Sequence, residues 1–263
     1  MKMKRIMVVM AIVITCTQCV FAQGTQPETT QSATDADIEA MVNGKNPYTL
    51  YKKNMIAEYC FQYKGKQISY MGGPTYVQQI VSDVKVKNGQ LVSFVQHAFF
   101  NKKHSPSKGI SAKFKEFTFP TAIDTAGNYR WAHNILQDFL MIDDRKGYGV
   151  LIPNDMKLGM QLQCSTIYDK TKNGFGAIIN LETTYSDWQV VSEEKVTTPA
   201  GTFDCMKLTG RLQQKYNGIN PNTNEEITCW MARGIGIVRY ETISSSDKKR
   251  EPVILYLNSL EQR

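Results

Sequence analysis

The sequence predicts an all-β, mainly antiparallel fold: one large curved sheet or half-open barrel with one central covering helix. Three observations lead there. After position 47, apolar and polar residues alternate through most of the chain, as in strands with one buried face. Asn88-Gly89 separates two such runs, and this dipeptide is the strongest short hairpin signal. One long segment, Tyr129 to Ile142, changes period and places Trp131, Ile135, Leu136, Phe139 and Leu140 at helical spacing. A length of 263 residues is within reach of a single all-β domain, and 42% apolar content excludes wholesale disorder.

The elements follow in order. Residues 1–22 have a basic start (Lys2, Lys4, Arg5), an apolar run from Ile6 to Ile14, and Val20 and Ala22 at positions −3 and −1 of a cut after Ala22. That order is a secretory signal peptide. A transmembrane helix would need about 20 apolar residues, and Thr15, Thr17 and Gln18 interrupt the run. Cys16 and Cys19 lie where a lipoprotein cysteine would, but the residues before them fit lipid attachment poorly. The expected location is periplasmic or secreted, with the chain not integral to the membrane. Residues 23–46 read as a flexible leader, since 23–36 hold no large apolar residue. Within it, Asp35 or Asp37 could cap a short helix carrying Ile38, Met41 and Val42 and ended by Asn43-Gly44. Residues 47–263 form the single β-rich domain.

Met55 to Tyr63 is a strand ended by Lys64-Gly65-Lys66. Val77 to Lys87 and Gln90 to Phe100 are the hairpin arms, and Ser111 to Phe119 is a further strand. After the expected helix, strands return at Gln161–Tyr168, Phe175–Val191, Glu194–Thr198, Phe203–Tyr216, Glu226–Ala232, Ile235–Ser244 and Pro252–Leu260.

A net charge of +7 suggests nucleic acid until the signal is set aside. Residues 1–22 carry three positive and no negative side chains, which leaves +4 on the mature chain and no nucleic-acid footprint. Four cysteines remain: Cys60, Cys164, Cys205 and Cys229. Cys205 and Cys229 fit neighbouring strands joined by a loop and are the first disulfide candidate; four buried free thiols are the alternative. No two stand at zinc-knuckle spacing.

Two local motifs stand out. One runs Val196-Thr-Thr-Pro199-Ala-Gly201-Thr-Phe203-Asp-Cys205, and the other Trp230-Met-Ala-Arg-Gly234-Ile-Gly236-Ile-Val-Arg239-Tyr-Glu241. Pro199 fixes φ at a turn, and Gly201 supplies the positive φ that a tight turn often needs. Gly234 and Gly236 flank Ile235 on a strand, which fits a bulge or close backbone approach better than a dinucleotide loop. Trp230 reads as a core anchor, with a ligand platform as the alternative. Together the motifs resemble the TapB-like family of exported bacterial proteins, whose main domain has no known function. The likeness covers residues 150–260 well and 47–150 loosely. It implies an exported β-rich domain, distantly like lipoprotein carriers with a half-barrel closed by a helix, and it supplies no catalytic residues.

The chain offers little for catalysis. His97 lies in an apolar strand, His104 in the basic loop Asn101–Lys108, and His133 on the expected helix; none has metalloprotease spacing. The adjacent pairs Glu193-Glu194 and Glu225-Glu226 would point to opposite strand faces. No Gly-x-Ser-x-Gly elbow occurs, and no metal or cofactor is implied. The leading expectation is therefore a non-enzymatic envelope protein holding a lipid or other hydrophobic ligand in a half-barrel pocket. Trp131, Ile135, Phe139, Leu140, Phe203 and Trp230 would line it. The competing expectation is an interaction or structural module that binds a protein partner in an envelope assembly.

Overall fold

The computed structural model describes residues 32–69, 74–106, 117–131, 144–172, 178–216, 223–244 and 251–263. Along the chain these form helix α1 (Asp35–Val42) and strands β1 (Met55–Tyr63), β2 (Lys66–Gln67), β3 (Tyr76–Lys87), β4 (Gln90–Phe100), β5 (Phe117–Ile123), β6 (Tyr129–Trp131), β7 (Asp144–Gly147), β8 (Val150–Ile152), β9 (Thr166–Lys172), β10 (Ile178–Thr198), β11 (Gly201–Tyr216), β12 (Thr223–Ala232), β13 (Gly236–Ser244) and β14 (Val253–Gln262). The strands make one sheet in the order β7-β9-β10-β11-β12-β13-β14-β1-β3-β4-β5-β6-β8, with β2 beside β1.

Turn chemistry explains the local pairings. Asn88 (φ 51°) and Gly89 (φ 70°) both take the left-handed conformation that a tight hairpin of this twist requires. The turn sets Lys87 opposite Gln90, and Val84 and Leu91 face the interior. The two ends of the sheet also approach each other. Leu151 N–H donates to the Gln163 carbonyl and Ser165 N–H to the Gly149 carbonyl, each at 2.9 Å. Val150 bridges Cys164, and Gln161 bridges Gln189. The segment preceding β9 thus stitches β8 to β10, and the curved sheet becomes a half-open barrel.

The expected covering helix does not begin at Tyr129. Tyr129–Trp131 is strand β6, paired with β8, with Tyr129 and Trp131 buried and Arg130 exposed between them. These aromatic residues satisfy period two as well as helical spacing, and the partner strand decides between them. The rest of that expected helix, 132–142, lies outside the described residues.

The leader also needs correction. Residues 1–31, with the expected signal and cut site, lie outside the described residues, but from Ser32 onwards the leader is part of the fold. Ser32 Oγ donates to Asp83, and Ala33 N–H donates to the Val84 carbonyl. Thr34 caps α1: its hydroxyl accepts from Asp37 N–H, while the Asp37 carboxylate accepts from Thr34 N–H at 2.8 Å. Ile38 and Val42 are buried in the main core. The short helix was legible in sequence, and through it residues 32–46 pack onto the sheet. Thr34→Ala should cost about 1 kcal/mol in denaturant unfolding, with little change in the slope against denaturant.

Candidate functional site

The sheet divides the expected pocket residues. Trp131 faces the interior, whereas Trp230 belongs to a second cluster with Val196, Cys205, Ala232 and Val238, and Phe203 packs against both clusters. Ile135, Phe139 and Leu140 lie outside the described residues. Trp131 and Trp230 thus belong to different clusters. Trp230 pairs with Lys207 and Arg239 across its ladder neighbours, on the face opposite Cys229 and Tyr240.

The interior face has an aromatic floor. Trp131 meets Trp188 edge-on with centroids 5.1 Å apart, and Tyr185 and Tyr240 pack around them at 6.4 and 6.2 Å. A bulge delivers Trp188. The β10–β11 register slips between Ser186 and Gln189, with Asp187 in the left-handed region at φ 55°, so two residues oppose Gly210. A Cβ on Gly210 would stand 2.5 Å from the Trp188 ring, so only glycine lets the indole lie there. Beside Trp131 is a cavity of about 50 Å³, bordered by Gln79, His97 and Thr121. His97 is buried there, its Nε2 2.8 Å from the Gln79 amide nitrogen.

Further along the strands the interior positions turn polar. Thr183, Gln214 and Thr242 are buried. Tyr216 OH donates to Gln214 Oε1 at 3.3 Å, and Thr242 Oγ1 donates to Glu225 at 2.6 Å. Burial pushes the Glu225 carboxyl above its ordinary value, and the Thr242 bond offsets only part of this. A carboxyl whose folded-state value is raised holds its proton more tightly in the folded protein. Its contribution is therefore most favourable below the unfolded carboxylate range and declines as pH rises through the folded value. Glu225→Gln should accordingly raise the melting temperature at neutral pH. The gain should shrink in mildly acidic buffer, a difference that thermal scans across pH would read.

On the convex face the two motifs meet. The β10–β11 ribbon runs past the end of β12, and its tip reaches β13 and β14. Thr198 pairs with Gly201 (φ 136°) around Pro199-Ala200, and Thr198 Oγ1 accepts from Ala200 N–H. Beyond the other hairpin end, Gly234 (φ 73°) donates its N–H to the Pro47 carbonyl at 2.7 Å. Gly236 takes φ 89° against the backbone at Tyr48 and Thr49, close to a register shift at Trp230/Met231. Trp230 sits between two cations: Lys207 Nζ is 5.0 Å and Arg239 Cζ 5.2 Å from its ring. Its indole N–H donates to Glu194, and that bond, assisted by Lys207 and Arg239, holds the Glu194 carboxyl below the usual carboxylate range. Arg239 pairs with Glu241, its Nε donating at 2.7 Å.

Between the ribbon tip and the sheet is a cleft of about 270 Å³ lined by Gln62, Thr197, Thr198, Pro199, Arg239, Ile254 and Tyr256. Burial, together with a hydrogen bond to Cys60, pushes the Tyr256 phenol up to about 12. Pro199 and Arg239 lie in the two motifs. Gln62 and Tyr256 come from distant strands with no local motif around them, and only the register β13-β14-β1 brings them in.

The disulfide candidate is corrected. Cys229 lies opposite Leu208 in the main core, and Cys205 is three residues further along β11, in the convex cluster. An odd offset puts the two on opposite faces of the sheet. All four cysteines, Cys60, Cys164, Cys205 and Cys229, are free thiols. Burial, with the charges of Asp204 and Glu194 adding, pushes the Cys205 thiol up to about 12, away from thiolate reactivity. Among the described residues no group of three or more His, Cys, Asp or Glu is placed to hold a metal ion. His104 stacks on Tyr76 at 4.0 Å, with Nε2 3.5 Å from Glu58, and His133 lies outside the described residues.

An antiparallel half-barrel with a packed aromatic floor and a cleft on its convex side is the class of protein that emerges. The DUF3108-like family matches residues 136–252, less than half of the chain. The TapB-like likeness remains one of motifs. No curated protein matches the sequence. Among solved structures, a lipoprotein-designated protein of Parabacteroides distasonis is similar at 12% identity and TM-score 0.63, over 82% of this chain and 99% of that one. An exported-designated protein with YmcC-like fold from Bacteroides fragilis is similar at 15% identity and TM-score 0.61, over 81% and 98%. At such identities the likeness is one of fold. Among the described residues no helix is long and apolar enough to cross a membrane.

Proposed function

We propose that the protein is exported to the bacterial envelope and acts there by binding rather than by catalysis, through the cleft on its convex face. The cleft carries this reading, because both motifs converge on it from separate strands. Two further facts support it. The basic, apolar and Val20-x-Ala22 order of residues 1–22 is that of an export signal, and two proteins of like fold are designated exported or lipoprotein. Meanwhile Trp131, Trp188, Tyr185 and Tyr240 pack the described floor of the half-barrel, and the cavity of about 50 Å³ beside Trp131 has no room for an acyl chain.

A specific observation favours a second reading, a lipid or other amphipathic ligand on the interior face. The polar band of Thr183, Gln214, Glu225 and Thr242 lies beyond the aromatic floor, and the buried Tyr59 hydroxyl and Trp188 indole N–H have no hydrogen-bond partner among the described residues. Native mass spectrometry of protein released from the envelope, followed by solvent extraction, separates the two. The expected result is the mass of the polypeptide with no stoichiometric lipid. One bound amphiphile per chain, lost on Thr242→Leu substitution, would overturn the cleft reading in favour of the interior one.

A further inference from the structure

We infer that the convex cleft takes a neutral, hydroxylated ring ligand of the size of one or two sugar units; this rests on the binding reading above and names its ligand class. Charge excludes the simpler alternatives. Arg239 is the cation in the lining, and it is already committed: its guanidinium bonds Glu241 and stacks on Trp230. An anion entering the cleft would meet an offset charge and would have to compete with Glu241 for the same N–H groups. Among the described residues no carboxylate lines the cleft, so a cation finds no counter-charge there. A wholly apolar ligand would strip water from the Gln62 amide, the Thr198 hydroxyl proton and the remaining Arg239 N–H groups, a cost of about 1–3 kcal/mol for each group it buries, whereas the Thr197 hydroxyl is already bonded to Thr202.

What fits is a ligand that offers both apolar ring surface and hydroxyls to this mixed lining. The Tyr256 hydroxyl is engaged by Cys60 and Gln67, so the ring itself, with Ile254 and Pro199, supplies an apolar wall. Beside these stand groups that both donate and accept: the Gln62 carboxamide, next to Ile254 in the β1–β14 ladder, and the Thr198 hydroxyl, next to Pro199 on the ribbon tip. Thr198 Oγ1 accepts from Ala200 N–H, and a hydroxyl that accepts still has its own proton to donate. A volume of about 270 Å³ is close to the lower end of ordinary small-molecule sites.

Isothermal titration of the full-length mature protein with N,N′-diacetylchitobiose, maltose and citrate tests the assignment. The expected result is saturable one-to-one binding of at least one disaccharide. Tyr256→Ala and, independently, Gln62→Leu should weaken it at least tenfold, and Tyr168→Ala, remote on β9, should leave it unchanged. Gln62 is half-buried at a strand end, so Gln62→Leu keeps the test decisive if Tyr256→Ala fails to fold. Saturable citrate binding that is lost on Arg239→Gln would overturn the neutral-ligand assignment. Failure of both sugars would also overturn it; with a lipid-free native mass, that failure leaves the cleft reading standing.

Discussion

Replacing Gly210 by alanine should destabilise the protein by about 2 kcal/mol or more in denaturant unfolding, a large effect for one methyl group. The added Cβ would stand 2.5 Å from the Trp188 ring, and that ring has nowhere to retreat, because Trp131 and Tyr185 pack against it. Trp188→Ala should cost about 3–5 kcal/mol through the cavity it leaves. The double variant supplies the sharper result. With the indole gone, the new methyl meets no ring, so the combined loss should fall clearly short of the sum of the two single losses. Strict additivity would mean that Trp188 does not rest on Gly210.

The second large effect is expected at the seam that closes the half-barrel. A Cβ on Gly149 would overlap the Trp131 carbonyl oxygen and press on the Tyr185 ring. Gly149→Val should force β8 away from β6 and break the Ser165 N–H bond to the residue 149 carbonyl, at a cost of about 3 kcal/mol. Hydrogen exchange checks this residue by residue. The Leu151 and Ser165 amides should lose protection well before those of the β10–β11 ladder. Uniform loss across the sheet would show that the seam is not a separate unit.

These two sites mark where the sequence is readable and where it is not. The Asn88-Gly89 hairpin and the Asp35–Val42 helix rest on neighbours in the chain, through turn geometry and a capping box, and both are legible in a dozen residues. Tyr129–Trp131 was ambiguous because three aromatic-rich positions satisfy two periods at once, and a strand far along the chain chose between them. The Cys205–Cys229 pairing failed for a related reason. Loop length indicates that two strands are neighbours, but face parity depends on register, and a three-residue offset reverses it. At the candidate site, Pro199 and the Trp230–Arg239 run carry local turn and strand signatures. Gln62 and Tyr256 carry none, since their place in the cleft comes only from the order of three strands.

That strand order bears on how the chain folds. The first long strand, β1, has β14, the last, as one of its partners, with Met55 opposite Gln262 and Gln62 opposite Ile254. The middle of the sheet cannot be completed until its final ten residues exist, and the pairing it waits for spans nearly the whole polypeptide. Such non-local closure raises the contact order and slows folding. A polypeptide emerging from the ribosome with β1 unpartnered on that side stays open and threadable. For a protein exported as proposed above, such a delay would keep the chain threadable, with the sheet closing only after β14 has been delivered.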